Sequence, residues 1–91
     1  MFDRKAKYII WDDGLDECAI VFNNHLTHAN VAMMLNIVNP ISAGFVEFKA
    51  VPNHFGPPIV QAIASGESMS LHVKSRSGDG VIIERAFKIT G

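Results

Sequence analysis

Residues 26–38, L-T-H-A-N-V-A-M-M-L-N-I-V, are the most convincing helix in this chain, and almost everything else reads as strand or turn. That contrast narrows the fold before any other consideration. Val31, Met34, Leu35 and Val38 recur at i, i+3, i+4 and i+7, which predicts one apolar stripe along a helix. Thr27 is the expected N-cap, because its hydroxyl can accept from a free amide of the first turn. Leu26 and Val31 then bracket the cap as a hydrophobic staple. Asn39-Pro40 is the expected stop, since the proline biases Asn39 away from helical backbone. One such helix among strands has an obvious place, laid over a face of a sheet.

The strands follow from period and turn chemistry. Residues 7–11 (K-Y-I-I-W) and 17–22 (E-C-A-I-V-F) flank a turn containing Asp13-Gly14, and together they predict an N-terminal hairpin. In 41–50, Ile41, Ala43 and Phe45 share one face while Val46, Phe48 and Ala50 share the other. Apolar residues on both faces predict an interior strand, or one covered on its second side by a partner chain. Gly44 within it suggests a bulge or a close approach to the backbone. Residues 51–58 hold three of the four prolines and read as a loop.

Residues 59–64 and 68–74 are two further β-like runs around Gly66. In the second, Met69, Leu71 and Val73 alternate with Ser70, His72 and Lys74. Residues 65–67 are either a hairpin turn or the bend of one long strand. Segment 81–89 fits two readings. As a helix, Ile82, Ile83, Ala86 and Phe87 form a stripe with Ser77 or Asp79 as cap; as a strand, Val81, Ile83, Phe87 and Ile89 share a face. The helix is preferred. The expectation is one α+β domain over 1–91, an antiparallel sheet of four to five strands with one or two helices packed on one face.

Composition removes several classes of function. Apolar residues make up 48% of the chain and charged residues 19%, a globular balance. A chain of 91 residues buries roughly 60–65% of its unfolded surface, enough for a single core. Eight Lys and Arg against nine Asp and Glu leave a formal charge of −1, which offers neither a nucleic-acid footprint nor a polybasic lipid patch. So low a charge suggests instead that a second copy covers part of the apolar surface. Cys18 is the single cysteine, so no internal disulfide forms and a reducing compartment is expected. With no apolar run near the ~20 residues of a membrane span and no signal-like N-terminus, the expected location is the cytoplasm.

Residues able to carry chemistry are few. His25 and His28 form an H-x-x-H pair that could share a metal on a continuous helix, with His54, His72 or Cys18 as further ligands. His25 precedes the expected cap, however, and no third ligand stands at a recognised spacing. The preferred reading is a turn residue and the first residue of a helix. Asp12, Asp13, Asp16 and Glu17 are too closely spaced for a calcium loop and read as a solvated hairpin turn. Cys18 alternates within a strand, like a small buried hydrophobe. Neither Gly66-Glu67-Ser68 nor Gly78-Asp79-Gly80 is a phosphate loop. Met33 lies off the helix stripe beside Ile37 and, with Phe48 on the two-sided strand, marks the expected interaction surface.

The segments P-I-S-A-G-F-V-E-F and G-E-S-M-S-L resemble small bacterial or phage-encoded proteins with no assigned activity. The resemblance implies no catalytic residue and no cofactor. The functional expectation is a non-enzymatic interaction or assembly protein acting as a homodimer or with another protein. The alternative is a small-molecule or metal-binding domain using His25 and His28 with His54 or His72.

Overall fold

The computed structural model describes residues 5–57 and 59–87. The chain opens with the expected hairpin. Strand β1 (Ala6–Asp12) pairs antiparallel with β2 (Glu17–Phe22), from Lys7 opposite Phe22 to Asp12 opposite Glu17. Gly14 sits at φ +100°, backbone open to glycine and strained for other residues. The acidic residues around it close the turn. Asp12 Oδ1 accepts the Gly14 amide at 2.8 Å, and Asp13 Oδ1 accepts those of Leu15 and Asp16 at 2.9 Å each.

Strand β3 (Pro40–Val51) pairs antiparallel with β1, from Ala6 opposite Val46 to Ile10 opposite Ser42, with a register shift before Trp11 meets Pro40. Strand β4 (Ile59–Ser65) pairs antiparallel with the other side of β3. The sheet order is β2-β1-β3-β4, so β3 is an interior strand, as its two apolar faces imply, and β1 is the other.

Successive side chains of β1 point to opposite faces, and Tyr8, Ile9 and Ile10 are all fully buried. Each face therefore needs a cover. Helix α1 (His28–Met34) sets Val31 and Ala32 against Ile9 and Ala43. Helix α2 (Asp79–Phe87) sets Ile83 against Tyr8, Ile10, Val46 and Ala62 on the other face. The α+β architecture is as the sequence indicates, but the helices divide between the two faces instead of sharing one. A central strand apolar on both sides cannot leave either side to water. Segment 81–89 is helical as far as Phe87; its last two residues lie outside the described ones.

Thr27 caps α1 as expected, its Oγ1 accepting the Asn30 amide at 3.1 Å. The end of α1 differs from the sequence reading. The helix stops at Met34, because Asn36 takes left-handed backbone at φ +57°. Its amide donates to Met33 O at 3.2 Å and that of Ile37 to Ala32 O at 2.8 Å, the paired bonds of a Schellman cap. The stripe drawn through Met34, Leu35 and Val38 is thereby cut. All three are exposed, and Ile37 turns in to pack on the core.

The alternating run 68–74 is also not a single strand. Strands β5 (Glu67–Ser68) and β6 (Val73–Lys74) form a second, two-stranded sheet. Between them the chain turns sharply, with His72 at φ +59° and its amide bonded to Ser68 O at 2.9 Å. Leu71 and Val73 still reach the core on the α1 side, whereas Met69 is left exposed. Among the described residues no helix is long and apolar enough to cross a membrane.

Candidate functional site

The four histidines are not alike. His25, His54 and His72 are exposed, and among the described residues no three His, Cys, Asp or Glu side chains gather as a metal set. His28 is only 4% exposed. Its Nε2 lies 2.9 Å from Gly44 O and donates to it, which places a hydrogen on that nitrogen. Phe22 and Phe45 meet its ring edge-on, with centroids 5.6 and 6.1 Å away. Burial among these groups pushes the imidazole below its ordinary 6.5, and the bond to Gly44 O offsets part of that. His28 thus pins α1 to β3. The sequence placed it correctly as the first helical residue and carried no sign that the residue is buried.

A second buried polar centre lies on the opposite face, and sequence reasoning had treated its key residue only as a cap. Asp79, at the start of α2, is fully buried. Its Oδ1 accepts from Ser42 Oγ at 2.9 Å and from Arg76 Nε at 3.1 Å; its Oδ2 accepts from the Tyr8 hydroxyl and from the Arg76 amide at 2.8 Å. Arg76 also reaches Glu17 on β2, 2.7 Å away. Burial, then the Asp79 carboxylate, push the Tyr8 phenol far above its usual range, so it stays protonated as a donor. With its lone pairs taken and no solvent access, Asp79 ties α2 to β1 and β3.

Cys18 is half-buried on β2, its Sγ donating to Asp13 Oδ2 at 3.3 Å. Burial first, and then the Asp13 carboxylate, raise the thiol above its ordinary value. This environment favours the thiol, where a nucleophile needs the thiolate. Cys18 borders an open cleft between β2 and α2, together with Asp16, Glu17, Ile82 and Arg85.

Exposed apolar side chains gather in two places, at the end of α1 (Met33, Met34, Leu35 and Val38) and where β3 and β4 run on beyond β1. Beyond the last β1 pair, Ala6 with Val46, strand β3 continues for five residues. Among the described residues those five pair only with β4. Among the described residues the result is a two-stranded arm, whose Phe48 and Ala62 still pack in the α2-side core. Phe55 at its tip is 98% exposed, and Ile59, Val60 and Ile63 along β4 are 53, 55 and 42% exposed. Strand alternation puts Ile59 and Ile63 on one face with Gln61, Glu47 and Lys49, and Val60 on the other.

Of the residues singled out from sequence as an interaction surface, Met33 is exposed as expected. Ile37 packs against the α1-side core and Phe48 against the α2-side core, both half-buried. The arm was missed because residues 59–64 read as one more strand, with nothing to show that this strand lies at an edge. Comparison with protein-family models, with curated proteins and with solved structures finds no match for this chain.

Proposed function

We propose that this protein is a non-enzymatic interaction or assembly protein that acts by associating with a second copy through the β3–β4 arm. The observation that carries this reading is the arm itself. It holds Phe55, Ile59, Val60 and Ile63 outside both cores, where they contribute little to the stability of the single chain. Exposed apolar residues grouped on one element mark an interface more often than isolated surface residues do. The neighbouring Glu47 and Lys49 supply one charge of each sign, so the face carries no net charge to repel its own copy.

The exposed fractions set the scale. Burying a whole Val, Ile or Phe side chain gives ~1.5–3 kcal/mol, so covering what these four leave open gives about 4–7 kcal/mol per copy. Association costs and ordering of the arm take a large part of the total from two copies. The expected dissociation constant lies on the order of micromolar to millimolar.

Sedimentation velocity over that concentration range tests the reading. Ile59→Lys and Ile63→Lys should each weaken self-association about tenfold or more, while Met33→Lys, on α1 outside the arm, leaves it unchanged. A wild-type chain that remains a monomer throughout, or arm variants that associate like wild type, would overturn it.

A further inference from the structure

The outer edge of β4 is tied to α2 by a side chain as well as by packing. Ala62 donates its amide to Glu84 Oε2 at 2.9 Å, although the two are 22 residues apart. Beside it, α2 approaches so closely that a Cβ at Gly80 would stand 2.3 Å from Ala62 O. Both hydrogen-bonding groups of Ala62 are therefore occupied or covered by α2. Since the Ala62 amide goes to Glu84, it points away from β3. With the alternation of an antiparallel ladder, the backbone groups of Val60 and Ala64 point outward too.

The edge so defined matches itself. Strand β4 reads I-V-Q-A-I-A-S, without a single charge, although exposed edges usually carry one to discourage pairing. If two copies of β4 meet antiparallel about Gln61, Val60 of each stands opposite Ala62 of the other, and Ile59 opposite Ile63. Outward groups then meet outward groups, and apolar side chains meet apolar side chains on both faces. The pairing needs the Ala62 amide and carbonyl, the two groups that Glu84 and Gly80 cover.

We infer that β4 is a latent strand-addition site for a second copy of this chain, held closed at Ala62 by Glu84 and Gly80 of α2. This inference rests on the arm being the association element and adds how that association is limited. While α2 is seated, two copies meet through exposed side chains of the arm and the contact stays finite. When α2 lifts, the open edge takes up a strand. Glu84 is thus a regulator of the mode of assembly.

Three variants test this by sedimentation and by the intermolecular β-sheet band in the infrared. Glu84→Ala removes the acceptor from Ala62 and should lower the concentration at which the chain assembles about tenfold or more, with an added intermolecular β band. Glu84→Gln keeps an oxygen that accepts the same amide and should behave like wild type. Val60→Pro removes an outward amide without touching the β3–β4 ladder, a place where edge strands tolerate proline. Added to Glu84→Ala, it should abolish the extra assembly.

Glu84→Ala behaving as wild type would overturn the inference. So would assembly that Val60→Pro does not reverse, because aggregation from loss of folding is indifferent to that one amide. A monomeric wild type together with assembling, proline-sensitive Glu84→Ala would instead remove the proposed function and leave the latent edge standing.

Discussion

Replacing Asp79 with alanine should be among the most damaging single changes in this chain, and the structure gives the size of the effect. The carboxylate accepts from the Tyr8 and Ser42 hydroxyls, both on fully buried residues, and from the amide and Nε of Arg76. Without it the Ser42 hydroxyl loses its acceptor and the Tyr8 hydroxyl keeps only Ser75, at ~1–3 kcal/mol each for a lost hydrogen bond to a buried charged group. Loss of the acceptor for the Arg76 amide at the start of α2 adds about 1 kcal/mol, the usual cost of a missing helix cap. The guanidinium adds little, because the Arg76 side chain is 39% exposed and keeps Glu17. The total is about 3–7 kcal/mol, a large part of the ~5–15 kcal/mol that stabilises a typical domain.

At ~4–8 °C per kcal/mol for a domain of this size, the middle of that range lowers the melting temperature by about 20–40 °C. Urea unfolding followed by circular dichroism measures it directly. Asp79→Asn should cost about half as much. Its single oxygen keeps two of the four donors, and a hydroxyl can rotate to accept from the new amide group. Glu17→Ala breaks only the exposed end of the network and should cost less than about 1 kcal/mol. If Asp79→Ala costs no more than Glu17→Ala, the attribution of stability to the buried carboxylate is wrong.

Two further outcomes are expected. The His28 imidazole is held below its ordinary 6.5 in the folded chain, so the unfolded chain takes up a proton first as pH falls. That contribution to stability is complete above pH 6.5 and is lost as pH falls from there toward the depressed folded value. Denaturant midpoints should therefore drop between neutral and mildly acidic pH, and His28→Gln should flatten the slope; an unchanged slope would count against the buried neutral histidine. Gly44→Ala would set a Cβ 2.5 Å from the backbone oxygen of Ser65 and should cost about 1–3 kcal/mol from overpacking, read by thermal unfolding.

Features that depend on neighbours in the chain were legible from the residues alone. The Asp13-Gly14 turn, the β1–β2 hairpin and the Thr27 cap each rest on contacts over a few residues, and each stands where the pattern puts it. The interior place of β3 followed from apolar residues on both its faces. Even here local signals competed. Asn39-Pro40 was the expected stop, but Asn36 ended the helix first by entering left-handed backbone. Three residues of the predicted stripe were left outside the core as a result.

The sequence by itself determined the α+β class, most of the strands and the N-terminus of α1, and favoured the helical reading of residues 81–87 over a strand. Tertiary structure alone decided which face each helix covers, that His28 and Asp79 are buried, and that β4 is an edge with α2 at its middle. The reason is separation along the chain. Asp79 meets Tyr8 across 71 residues and Ser42 across 37, His28 meets Gly44 across 16, and Glu84 meets Ala62 across 22. No local spacing encodes those meetings. They exist only once the sheet has set the strands side by side, and so does an apolar arm that the sequence shows only as one more strand.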